Sequence, residues 1–173
     1  MNIALIGFRG TGKTTIAKLL AKGFDKKLIS TDDEIAKKTK MSIPKFVQKY
    51  GCGKFRDVET EVIENISDFD ECVIDTGGGI VMRNENVINL KKNALIILLT
   101  ADIKTIKNRI KDGKERTDLT KIYYLDEIKD ILQEREVKYN NAADYTIDTS
   151  RLTPEEASDL ITHYVQMEIQ GDV

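Results

Sequence analysis

Residues 7–14 read "GFRGTGKT", and this stretch decides the fold. Its G-x-x-x-x-G-K-[ST] spacing sets Gly7, Gly12, Lys13 and Thr14 between an apolar run, "NIALIG" (2–7), and a helical pattern, "KTTIAKLLAKGF" (13–24). Glycines at these places let backbone N–H groups turn inward around a phosphate, and the start of a helix adds its positive end. Lys13 then reaches the β/γ oxygens, the Thr14 hydroxyl ligates Mg²⁺, and Arg9, Gly10, Thr11 and Thr15 complete the cradle. The plainer reading is a Gly-rich strand-to-helix turn with a surface lysine. The strand before and the helix after favour a nucleoside triphosphate site instead.

Outward from this loop, apolar runs and helical periodicity alternate to the end of the chain. Further strands are predicted at "KLIS" (27–30), "CVID" (72–75), "ALIILL" (94–99) and "DYTID" (144–148). Helical stretches fall at 32–39, 43–51, 54–67, 85–93, 102–111 and 123–139. The last, "TPEEASDLITHYVQM" (153–167), carries its own start signal: Thr153 as N-cap, Pro154 in the first turn and Glu156 closing a capping box. Strands alternating with helices predict an α/β fold, a mostly parallel sheet covered on both faces. Residues 112–122, "DGKERTDLTKI", are polar and lie between two helices, so a lid is expected there.

Composition sets the frame. A chain of 173 residues, 40% of them apolar, suits one domain over 1–173 with a full core. Lys+Arg 27 against Asp+Glu 29 leaves a net charge of −2, with no basic stripe, so nucleic acid is not expected as a partner. No apolar run approaches the ~18 residues of a membrane span, and the chain opens on a strand without a charged leader. Cys52 and Cys72 stand apart from any metal-binding spacing, which fits a reducing cytosol. The expectation is a cytoplasmic monomer. His163 falls on the terminal helical pattern, far from these motifs, and reads as an ordinary helix residue.

A phosphate cradle does not name an acceptor. The segments "STDDEI" (30–35), "GCGKFRDVE" (51–59), "TGGG" (76–79), "KER" (114–116) and "REVKYNNAADYTIDT" (135–149) occur in the order and at the spacings of shikimate kinases, which the chain resembles from the P-loop to the final strand. The resemblance implies a P-loop kinase of the nucleoside-monophosphate-kinase type, with five parallel strands in the order 2-3-1-4-5 and an acceptor-binding region over 31–66. It implies transfer of a phosphoryl group from ATP, with Mg²⁺, to the 3-hydroxyl of shikimate. By the same resemblance Asp32 contacts that hydroxyl and Arg56 and Arg135 hold the carboxylate. Gly77, Gly78 and Gly79 bring backbone close to the acceptor, with Gly78 in direct contact. Arg116 closes over the phosphates, Arg109 stacks on adenine, and residues 148–154, including Pro154, border the base. Each role has a plainer counterpart: Asp32 as a helix N-cap, the arginines as surface charges, the glycines as a tight turn.

The chain departs from the family's pattern in three places. Shikimate kinases carry D-x-D after the second strand, the first Asp holding Mg²⁺ through water, where this chain has Ser30-Thr31-Asp32. It has instead an acid, Asp75, before the glycines, and strands two and three are neighbours in the implied order. The expectation is that the Mg²⁺ carboxylate has moved from position 30 to position 75; a strand-end Asp capping the turn is the alternative. The lid reads Arg116-Thr117-Asp118-Leu119 where similar enzymes have Arg-Pro-Leu-Leu, and Val137-Lys138-Tyr139 replaces Pro-Leu-Tyr. These changes leave two further readings: a kinase for another small anionic acceptor, such as gluconate or a nucleoside monophosphate, and a nucleotide-binding module without catalysis.

Overall fold

Five parallel strands form one sheet in the order β2-β3-β1-β4-β5. They are β1 (Asn2–Ile6), β2 (Lys27–Ser30), β3 (Cys72–Asp75), β4 (Ala94–Thr100) and β5 (Tyr145–Asp148). The computed structural model describes residues 1–112 and 127–171. The helices are α1 (Lys13–Gly23), α2 (Thr31–Thr39), α3 (Ile43–Ser67), α4 (Asn84–Lys91), α5 (Ile103–Asp112), α6 (Ile128–Ala142) and α7 (Pro154–Gln170).

β1, β3 and β4 read as nearly unbroken apolar runs because both faces of the sheet are covered there. Alternate residues serve opposite cores. Ile3, Leu5, Ile97 and Leu99 pack with Ile16 and Leu20 of α1 and Ile161 and Val165 of α7. Ala4, Ile6, Ile74 and Ile96 pack on the other side with Ile63, Leu90 and Tyr139. A separate cluster, Ile35, Phe46, Phe55, Val58 and Val62, joins α2 to α3 away from the sheet.

Parallel pairing sends every strand's carboxyl end to one edge, where ligands of such sheets bind. The P-loop follows β1, α2 follows β2, and the glycine run follows β3. Register pairs Leu5 with Asp75 and Ser30 with Asp75. The expected neighbouring of positions 30 and 75 is therefore present in the backbone.

Local signals act as read, with some shifts. The Thr153 hydroxyl accepts from the Glu156 N–H at 3.1 Å and the Glu156 carboxylate accepts from the Thr153 N–H at 2.8 Å, closing the capping box of α7. Gly51, at φ 84 and ψ 163, separates the two helical pieces of α3, as the two patterns predict. Helix α6 runs three residues beyond Tyr139, because Ala142, one turn on, is buried on the same face. A 3-10 turn at Ile80–Met82 has no periodicity to announce it; it is held by the Ile80 N–H to Gly77 and the Met82 N–H to Gly79.

Candidate active site

A cleft of about 830 Å³ runs along the carboxyl edge of the sheet, from the P-loop to α3 and α6. Its phosphate end is built by β1, which delivers Gly7 at φ 138, where a Cβ would lie 2.2 Å from the Leu99 carbonyl oxygen. Gly12 caps α1 from the left-handed region, at φ 96, and no acidic side chain occupies the helix's first turn. The positive end of α1 is thus left to an anion. Lys13 is 7% exposed, its ammonium donating to the carbonyls of Gly7 at 2.8 Å and Phe8 at 3.0 Å inside the loop. Thr14, Arg9, Gly10, Thr11 and Thr15 all line the cleft.

The nucleotide end is braced by a contact the sequence did not announce. The Thr149 hydroxyl, at the end of β5, lies 2.9 Å from the Thr11 carbonyl and 3.0 Å from that of Thr100. Arg109 of α5 donates to the Thr149 hydroxyl at 3.0 Å and to its carbonyl at 2.8 Å. Arg109 therefore sits in the wall of the cleft that Pro154 also lines and is not a solvated helix charge.

At the acceptor end, Asp32 lies in the first turn of α2, and Ser30 caps that helix by accepting the Asp33 N–H at 3.2 Å. The capping alternative for Asp32 is removed: its carboxylate faces the glycine run. A Cβ on Gly77 would lie 2.9 Å from an Asp32 oxygen and 3.4 Å from a Glu59 oxygen. A Cβ on Gly79 would lie 2.1 Å from Nη2 of Arg56. None of the three glycines has a positive φ. Their reason is therefore close approach, and the chain's own functional side chains occupy the space of the absent Cβ atoms at Gly77 and Gly79.

Arg56 reaches Gly79 because Glu59, one turn along α3 and fully buried, accepts from its Nη1 with both oxygens, at 2.7 and 2.6 Å. Burial pushes the Glu59 carboxyl up, and the charge of Arg56 pulls it back. Arg135 of α6 donates through Nη1 to the Gly78 carbonyl at 2.9 Å, and the Tyr139 hydroxyl, one turn on, donates to the same oxygen. Among the described residues Nε of Arg135 is buried without a partner. Arg56 and Arg135 thus both line the cleft with donors to spare. Glu59 and Tyr139 were missed as site residues; their spacings, i+3 from Arg56 and i+4 from Arg135, were the available signal.

Asp75 ends β3 in the cleft wall, 8% exposed. Arg116 and the lid reading of 112–122, beyond its first residue, fall outside the described residues. His163 lies on α7, exposed and outside the cleft.

The family model described as shikimate kinase matches residues 9–166. The shikimate kinase of Caldicellulosiruptor bescii is 44% identical over 160 residues, covering 92% of each chain. That of Thermodesulfovibrio yellowstonii is 44% identical over 162 residues, again 92% of each. Among solved structures, shikimate kinase from Acinetobacter baumannii in complex with shikimate superposes with a TM-score of 0.88 at 28% identity, over 96% of this chain and 93% of that one. The enzyme from Aquifex aeolicus gives a TM-score of 0.81 at 28% identity, over 99% of both.

Proposed function

The chain belongs to the shikimate kinase family, and from that premise we propose how its own residues divide the work of moving a phosphoryl group from ATP to the 3-hydroxyl of shikimate. The observation that carries the reading is the meeting of Asp32, Arg56 and Arg135 around Gly77–Gly79, in the same cleft as the phosphate cradle. An anionic polyol needs such a set: donors for its carboxylate, a base for the hydroxyl that reacts, and backbone close enough to exclude water.

Arg56, held by Glu59, and Arg135, held by the Gly78 carbonyl, bind the carboxylate through their remaining donors. Asp32 orients the 3-hydroxyl and accepts its proton as the new O–P bond forms and the bond from the γ-phosphorus to the ADP oxygen breaks. Lys13 neutralises charge on the transferring group, and Arg116 of the lid adds a second cation. Arg109 and Pro154 border the adenine. Hard oxygen donors and phosphates suit Mg²⁺, which takes one or two protein groups and no cage; among the described residues no cluster of three potential ligands exists. Thr14 supplies one such oxygen, and the ion, when bound, screens the phosphate charge. The reading is of a cytoplasmic monomer that binds small molecules and no nucleic acid.

The test is ADP release from ATP and Mg²⁺ with shikimate, set against gluconate, a nucleoside monophosphate panel and no acceptor. Turnover that depends on shikimate is expected. Response to another acceptor alone would overturn the assignment of the carboxylate site, and nucleotide binding without any turnover would make the chain a binding module.

A further inference from the structure

Asp75 is 8% exposed as a whole residue, lines the cleft, and among the described residues its carboxylate has no hydrogen-bond or ion-pair partner. A carboxylate without a protein partner that opens on the same cleft as the phosphate cradle suits a cationic ligand. A turn-capping role does not account for it. The Thr76 N–H goes to the Leu5 carbonyl at 3.3 Å, and the Gly77 N–H to the Thr31 hydroxyl at 2.9 Å. Asp75 accepts neither.

Its place in the sheet says which cation. Asp75 pairs in register with Leu5 of β1, two residues before the P-loop, and with Ser30 of β2. Ser30 cannot supply charge there, and its hydroxyl is engaged as the N-cap of α2. An acid at the end of the strand next to the P-loop strand lines the same cleft as Gly12, Lys13 and Thr14. Asp32, by contrast, is turned to the glycines and the acceptor.

We propose that Asp75 is this chain's carboxylate for the nucleotide-bound divalent cation, acting with Thr14, and that it takes over from β3 the task that a β2 carboxylate would otherwise perform at Ser30. The inference rests on the kinase reading for the presence of a metal–nucleotide, but not on the identity of the acceptor. Ser30 is thereby released to cap α2, and Asp32 is left as the acceptor's base without a second acid beside it on β2.

Mn²⁺ is the probe. Its affinity for the enzyme–ADP complex is read by the electron paramagnetic resonance signal of free ion, for the wild type, Asp75→Asn, Asp75→Ala and the double variant Ser30→Asp/Asp75→Ala. ADP affinity in EDTA, measured by calorimetry, reports the folded cradle without metal. Asp75→Asn and Asp75→Ala are expected to weaken Mn²⁺ about 10- to 100-fold, with ADP affinity in EDTA unchanged within about twofold. The double variant is expected to recover most of the loss. Wild-type Mn²⁺ affinity in both Asp75 variants would overturn the proposal, as would a loss of ADP binding in EDTA on Asp75→Asn, which would make the residue part of the cradle itself. Shikimate turnover is scored separately: metal binding that depends on Asp75 without such turnover would sink the acceptor assignment and leave this inference standing.

Discussion

Gly79 shows how a residue without a side chain can serve one that has a long one. The Arg56 guanidinium rests where a Cβ would project, at 2.1 Å, so Gly79→Ala must displace it. A carboxylate held by a misplaced fork loses binding that is common to ground and transition states. The KM for shikimate should rise tenfold or more, about 1.4 kcal/mol, with kcat less affected; steady-state kinetics decide, and an unchanged KM would detach Arg56 from the acceptor. Glu59 is the other half of that arrangement. Its carboxyl is raised by burial, so the folded state favours the protonated form more than the unfolded chain does. The stability this gives is fully present below the unperturbed value of about 4.5 and is lost as pH climbs through the raised value in the folded chain. Glu59→Gln lacks this loss. Urea titrations from acid to neutral pH should therefore show the variant gaining on the wild type as pH rises, while its KM for shikimate worsens because Arg56 has lost a charged anchor. Parallel stability curves across that range would show that the pair's attraction cancels the burial term.

Among the elements, α2 is set by its first turn. Ser30 lies outside the helix in extended geometry and accepts the Asp33 N–H. Ser30→Ala should cost about 1 kcal/mol of stability, the usual worth of an N-cap, and leave Mn²⁺ affinity of the ADP complex at the wild-type level, since the charge resides on β3. A metal defect in this variant would return the ion to β2. The same helix shows what pattern reading resolves. Strands β1, β3 and β4 were legible because nearly unbroken apolar runs have few other uses in an α/β chain, and the P-loop because its glycines are demanded by backbone geometry. The capping alternative at Asp32 lay two residues from the actual cap: Ser30, Thr31 and Asp32 all have side chains able to accept the N–H, and only the extended backbone at Ser30, where β2 ends, tells which stands outside the helix. The anchoring of Arg56 by Glu59, and of Arg135 and Tyr139 on Gly78, depends on α3 and α6 approaching a turn far away in sequence, and no local spacing encodes that approach.

For the whole molecule, the separation of cores predicts how binding spreads. The residues that join α2 to the start of α3 pack among themselves, while Ile63 and Ile66 at the other end of α3 belong to the sheet's core. Within the first cluster Gly51, outside helical geometry, parts Ile35 and Phe46 from Phe55, Val58 and Val62. Local opening should therefore release 31–50 at lower free energy than β1, β3 or β4, whose residues are buried on both faces. Asp32 stands on the loosely held side and the P-loop on the firmly held one, so the two substrates should protect different parts of one chain. Hydrogen exchange by mass spectrometry is expected to find the amides of 31–50 exchanging before those of the central strands. Shikimate at about 100 times its Kd should slow those amides about 100-fold, since opening must release the ligand, equivalent to ~2.7 kcal/mol. ADP with Mg²⁺ should act instead on the P-loop and 149–154, where Thr149 ties β5 to Thr11. If shikimate protected the P-loop and left 31–50 untouched, the acceptor would bind elsewhere in the cleft, and the roles given to Asp32 and Arg56 would fall together.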